Sequence, residues 1–259
     1  DCYDNQLGTL NGLGNLTQLQ FLDCSNNQLS GTLDVGKLTN LTELDCTDNH
    51  LSGSLDVGKL TQLQILTCHT NQLGTLDGLG KLTNLNYLYC ENNQLSGTLD
   101  VGKLTQLQKL LCNDNQLDTL DGLRNLTQLT VLICNNNPYT SFTTMDGNTL
   151  TVTPATGGKV WLTNFNQRSN AVELTAKPDS GYAFQAWTSL PVGAPNSQTT
   201  SFTLTGDTTA KAAFIGTDAT LKSLSLSSGT LTPAFDPAIT AYTALVDNKR
   251  HHHRHGQRH

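Results

Sequence analysis

The chain is poor in most of what enzymes and nucleic-acid-binding proteins rely on. Of its 259 residues only 14% are charged and 6% aromatic. Nothing matches H-E-x-x-H, G-x-S-x-G, G-x-x-x-x-G-K-[ST] or C-x-x-C, so the common metalloprotease, hydrolase, phosphate-loop and redox motifs are missing. No run of about 18 apolar residues occurs, which argues against a helical membrane span. A charged start followed by an apolar core is also lacking, so no signal peptide is read. Basic residues are scarce: Lys249, Arg250, Arg254 and Arg258 sit in the tail, leaving 11 bases against 21 acids, a net of −10. The other lysines are spread out, as at Lys37, Lys59, Lys81 and Lys103. Nucleic acid needs a clustered basic face and is not expected as a partner.

What is present is a repeat. The seven cysteines, Cys2, Cys24, Cys46, Cys68, Cys90, Cys112 and Cys134, are all 22 residues apart. An asparagine follows each by three residues, from Asn5 to Asn137, and a leucine follows the first six by five. With Leu16, Leu19 and Leu22 the unit reads L-x-x-L-x-C-x-x-N-x-L. That unit resembles the leucine-rich repeat, with Cys in its third apolar slot. The resemblance implies a solenoid over 1–137 with a parallel β face, and 138–148 reads as a terminal repeat and linker. Each strand turns residues such as Leu22 and Cys24 inward and the residues between them outward. One repeat cannot bury its apolar residues alone, so stability comes from stacking. The asparagines are expected to bond the backbone where the chain leaves the strand. The glycine-bearing return segments, such as Ser30 to Lys37, predict short turns or 3-10 pieces on the convex side.

The cysteine column admits several readings. Stacked strands lie about 4.8 Å apart, whereas a disulfide wants Cβ atoms roughly 3.8 Å apart. Metal binding needs convergent ligands, and a redox role needs an exposed thiolate. Buried free thiols packing as small hydrophobes fit the pattern better. No metal and no cofactor is expected. An odd number of unpaired cysteines is unusual outside a reducing compartment.

Beyond Asn137 the period stops and short alternating runs begin, such as Val172 to Ala176 and Ser201 to Thr205, punctuated by Pro and Gly. A small all-β module is expected over 149–215. Within it Gly157-Gly158-Lys159-Val160, Gly181-Tyr182-Ala183-Phe184-Gln185-Ala186-Trp187 and Lys211-Ala212-Ala213-Phe214 resemble the internalin-type B-repeat of bacterial surface proteins. Tyr182, Phe184, Trp187 and Phe214 read as the core of so small a module, or else as a stacking patch. Residues 216–246 resemble the opening strands of a cadherin-like β-sandwich, cut short. The His- and Arg-rich stretch 247–259 reads as non-native. The chain opens at Asp1 inside a repeat, as expected of a processed product or a piece lacking a signal and an N-terminal cap.

The informative surface is the outward face of the strands, where residues vary while the core does not. Its later repeats gather Ile65, Tyr87, Tyr89, Leu111, Val131 and Ile133, with His69, Glu91 and Lys109 beside them. Such a patch is unfavourable in water unless covered, so these nine residues are expected to bind a partner, unless the β module itself folds over them. Asp1, Asp23, Glu43 and Asp45 form an acidic strip that could alternatively hold calcium. A column of threonines, Thr17 to Thr127, could order water or simply follow from duplication.

The resemblances imply a non-catalytic bacterial adhesion protein, secreted or held at the cell surface. It would recognise a protein or glycan on another cell or matrix. The alternative is a structural protein that self-associates through β edges into a filament or surface layer.

Overall fold

The computed structural model describes residues 1–217 and the backbone of 230–232 and 243–245; the latter two, Thr230–Thr232 and Thr243–Leu245, pair antiparallel. Apart from that pair, the expectations for 216–246 and the tail 247–259 lie outside the described residues. Asp1–Ile215 is one compact unit.

The repeats build a parallel solenoid. Phe21–Asp23, Glu43–Asp45, Ile65–Thr67, Tyr87–Tyr89, Lys109–Leu111 and Val131–Ile133 form a six-stranded parallel sheet, one strand per repeat and in strict register. The middle residue of each, Leu22 to Leu132, is buried, and so are Cys24 to Cys134. The flanking residues face out, as period-2 geometry requires.

The asparagines turn the chain by bonding across repeats. The Asn49 side-chain oxygen accepts the Leu29 N–H at 2.9 Å, while its amide donates to the Cys24, Cys46 and Thr47 carbonyls at 3.0, 3.2 and 3.0 Å. The same set recurs from Asn27 to Asn137, satisfying backbone groups that the bend leaves without a strand partner. One residue before each asparagine the backbone is left-handed, at φ 50 to 55°. Asp or Asn fills that place in six repeats and tolerates it; Thr70, at φ 55°, is the exception.

The return segments hold the expected short turns and add strands to them. Short 3-10 turns are present at Leu13–Asn15, Leu79–Lys81 and Leu123–Asn125. In other repeats this side also carries strands: His50–Asp56 and Gln72–Asp77 pair in parallel, and so do Ser96–Asp100 and Gln116–Asp121, whereas in Ser30 to Lys37 only Ser30–Gly31 is strand. Glycines at positive φ, such as Gly53 and Gly97, shift the chain's register without ending the strand. Leu51, Leu55 and Val57 still reach the core. Where adjacent turns meet, Gly78 is required: at φ +76° a Cβ there would lie 2.3 Å from the Gly58 Cα.

The β module closes the far end of the solenoid. Ser141–Thr143 adds in parallel to Gln116–Asp121; Thr149–Val152 then pairs antiparallel with it, and Thr208–Gly216 joins Thr149–Val152. A separate antiparallel sheet holds Gly158–Asn166, Ala171–Pro178 and Thr199–Thr203. Its first strand docks on the last repeat, Asn136 N–H donating to Leu162 O at 2.6 Å and Leu162 N–H to Asn137 O at 3.0 Å. Phe165 meets Phe142 edge-on at 4.9 Å, Phe142 lies 5.5 Å from Tyr139, and Tyr139 and Phe142 are fully buried. Of the module's aromatics, Trp187 is buried with its indole N–H donating to Ser197 O at 2.6 Å, and Phe184 and Phe214 pack against the core. Tyr182 is 38% exposed and lies over Gly157, where a Cβ would meet its ring at 2.2 Å.

Candidate binding face

Each outward side chain is placed by the register of the first sheet. Ile65, Tyr87, Lys109 and Val131 lie side by side in one column, and Thr67, Tyr89, Leu111 and Ile133 in the next. Tyr87 and Tyr89 alternate with the buried Leu88, so both rings stand on the same side, 6.4 Å apart and 22° from parallel. The Lys109 ammonium sits 5.5 Å from the centre of the Tyr87 ring, and the Tyr87 hydroxyl donates to Gln108 Oε1 at 3.3 Å. The apolar residues expected to bind a partner are therefore contiguous. All are half-buried except Ile133, which is 40% exposed. The contacts of the β module described above fall on the end of the solenoid, and Ile133, the outward residue of the last strand, stays open to solvent.

The acidic strip is also assembled. Asp23 and Asp45 are partners in register, Glu43 lies between Phe21 and Ile65, and Asp1 is exposed. Two of these carboxylates have an oxygen engaged locally: Asp23 Oδ1 accepts the Ser25 N–H at 3.0 Å and its hydroxyl at 2.6 Å, and Asp45 Oδ1 accepts the Thr47 N–H at 2.9 Å. Among the described residues no three His, Cys, Asp or Glu side chains converge in a way that could hold a metal ion.

A third column runs through Ser25, Thr47, His69, Glu91 and Asn113. His69 is half-buried, with Nδ1 3.0 Å from the Thr70 hydroxyl. Glu91 is half-buried too, but its Oε2 is fully covered and has no hydrogen-bond partner. Thr47, 6% exposed, has a covered hydroxyl that is likewise without a partner. Thr47 was not singled out from the sequence; the column it shares with His69 and Glu91 was the available signal.

Beneath this face lie the thiols. All seven cysteines are free, Cys2 half-buried and the other six buried. Burial pushes Cys24 up to about 12, with Cys2, Asp23 and Asp45 adding to it. Cys112 is also raised to about 12, burial being the main cause. Cys68 is raised by burial first and then by the charges of Glu91 and Asp45. These groups stay protonated near neutral pH and pack as apolar side chains.

Comparison with known proteins gives the same division. The family model for leucine-rich repeats in two copies matches residues 17–58 and 105–147, and that for the divergent InlB B-repeat domain matches 148–217. Among solved structures, PEPR1–AtPEP1 is 31% identical, with 59% of this chain and 22% of that one aligned at a TM-score of 0.51. The internalin inlF of Listeria monocytogenes is 30% identical over 52% of this chain and 41% of its own, at 0.47. The functional domain of InlJ from Listeria monocytogenes, described as including a cysteine ladder, is 19% identical over 83% and 66%, at 0.37. The chain thus spans less than two thirds of each of these structures. No curated protein matches it significantly.

Proposed function

We propose that this leucine-rich-repeat protein, with an internalin-type B-repeat behind its repeats, is a non-catalytic adhesion protein of a bacterial surface or its surroundings. It recognises a protein or glycan partner through the strand face between Ile65 and Ile133. The observation that carries this reading is the stacked Tyr87–Tyr89 pair flanked by Ile65, Leu111, Val131 and Ile133 on a face that the β module leaves open. Contiguous apolar and aromatic side chains on a solvated sheet are the usual composition of an interface centre. The leucine-rich-repeat match supports a binding scaffold in general, and the PEPR1–AtPEP1 structure is one in which a similar chain is held with AtPEP1.

The test is capture by the full chain, immobilised, from a surface extract, followed by identification of the bound partner and its affinity. Replacing Tyr87 and Tyr89 together by Ala is expected to abolish capture with little change in melting temperature; capture that survives removes the strand face from consideration. Light scattering separates recognition from the self-assembling alternative, since a monomer at every concentration favours recognition.

A further inference from the structure

The strand face is electrically lopsided. Asp23, Glu43, Asp45 and Glu91 stand half-buried on it, whereas Lys109 is the one lysine or arginine among its outward positions, already placed over Tyr87. In the middle of the face two polar groups are left without partners, the Glu91 Oε2 and the hydroxyl of Thr47, whose side chain is more than nine-tenths buried. His69 lies between them on the intervening strand, held in line by Asp48 N–H to His69 O at 3.2 Å and Thr70 N–H to Glu91 O at 3.1 Å.

A half-buried carboxylate with an oxygen that has no partner is unfavourable, and a group bringing several donors to Glu91 offsets that cost. A metal ion is a poor fit, because no three ligands converge here among the described residues. An anion is repelled by the four carboxylates. A guanidinium or ammonium fits, since it carries only donors, and the neighbouring tyrosines offer ring faces to its charge and stem.

Extending the strand-face reading above, the geometry points to an extended peptide segment, basic at one end and apolar at the other, as the occupant. An arginine or lysine is seated between Asp45 and Glu91, and apolar side chains lie on Tyr89, Leu111 and Ile133. The six strands span about 24 Å at ~4.8 Å each, the reach of roughly seven extended residues.

The test uses fluorescence anisotropy of the full chain with three labelled heptapeptides. One carries two arginines at one end and three leucines at the other, one has glutamates in place of the arginines, and one keeps only the leucines. The arginine peptide is expected to bind at least tenfold more tightly than the glutamate peptide and to weaken as salt rises. Glu91→Gln, which keeps shape and removes charge, is expected to weaken the arginine peptide about tenfold and leave the leucine-only peptide unchanged. Failure of the arginine peptide to bind, equal binding of the glutamate peptide, or an affinity indifferent to Glu91→Gln overturns the inference. In the last case a lower melting temperature for Glu91→Gln assigns the carboxylate to a role within its own face. The leucine-only peptide tells the two readings apart. If its binding needs Tyr87 and Tyr89 but ignores charge, the strand face stands and only the basic segment falls. If arginine-peptide binding survives Tyr87→Ala with Tyr89→Ala, the strand-face reading falls.

Discussion

The solenoid and the module that ends it solve the same problem in opposite ways. In the repeats the backbone groups at each bend are satisfied by the same side chain in every turn: Asn115 accepts Leu95 N–H at 2.9 Å and donates to Cys90, Cys112 and Asn113 carbonyls. In the module the partners are distant and singular, such as Asn148 Nδ2 donating to Leu204 O and Thr149 N–H to Asp207 Oδ1. Repetition makes the core redundant and leaves the outward columns free to vary, which is why the variable residues stand out against it. The module has no such redundancy, so its aromatics are spent on its own core and on closing the solenoid.

Alkaline titration should separate the two regions most strongly. The six buried thiols hold their protons to higher pH in the folded than in the unfolded chain. Their contribution is therefore complete below the ordinary thiol pKa of 9.0 and is lost as pH rises from there towards about 12. Each thiol withdraws roughly 1 kcal/mol of stability per pH unit in that window. The repeats should unfold there, and hydrogen exchange over 158–178, which contains no cysteine, will show whether the module melts with them. A solenoid that stays folded at pH 11 contradicts the burial of the column.

Breaking the junction comes next. Phe142→Ala removes a fully buried ring touching both Tyr139 and Phe165, and should lower stability by about 3–5 kcal/mol in urea. If the junction couples the regions, a single transition should split into two. Within the repeats, Asn115→Ala strands four backbone groups and should lower stability by about 3 kcal/mol. The exposed Asn5, which bonds only its own turn at Cys2 and Tyr3, should change it by less than ~0.5 kcal/mol when replaced by Ala. Equal effects at Asn115 and Asn5 deny the inter-repeat bonds their role. Smallest is the effect of an aromatic thiol reagent on the native chain at pH 8, which should label Cys2 alone and leave the melting curve unmoved.

The strand positions, the buried cysteines and the asparagine turns were legible because seven copies report the same environment, so Leu22 and Cys24 are read with the support of every later repeat. The second parallel sheet was not. Segments such as Ser52-Gly53-Ser54-Leu55-Asp56 have turn-like composition, and only pairing with the next repeat keeps them extended. The docking of the module was equally hidden, since the Asn137–Leu162 bridge joins residues with no local pattern in common. Of the face, the tyrosines announced themselves. The covered oxygens of Glu91 and Thr47 did not, because their burial depends on the height of neighbouring columns.

The asparagine bonds also have a direction. From Asn27 onward each asparagine of the column reaches back to the repeat before it, Asn27 to Leu7, Asn49 to Leu29 and so on to Asn137 and Leu117. A repeat is thus latched by its successor, so a pull on the first repeat is expected to open the latches in ascending order, an order that single-molecule stretching would read. Each opening frees 22 residues, roughly 75 Å of slack at full extension. The last latch, Asn137, is itself held by antiparallel pairing with Leu162, which links the end of the series to the module.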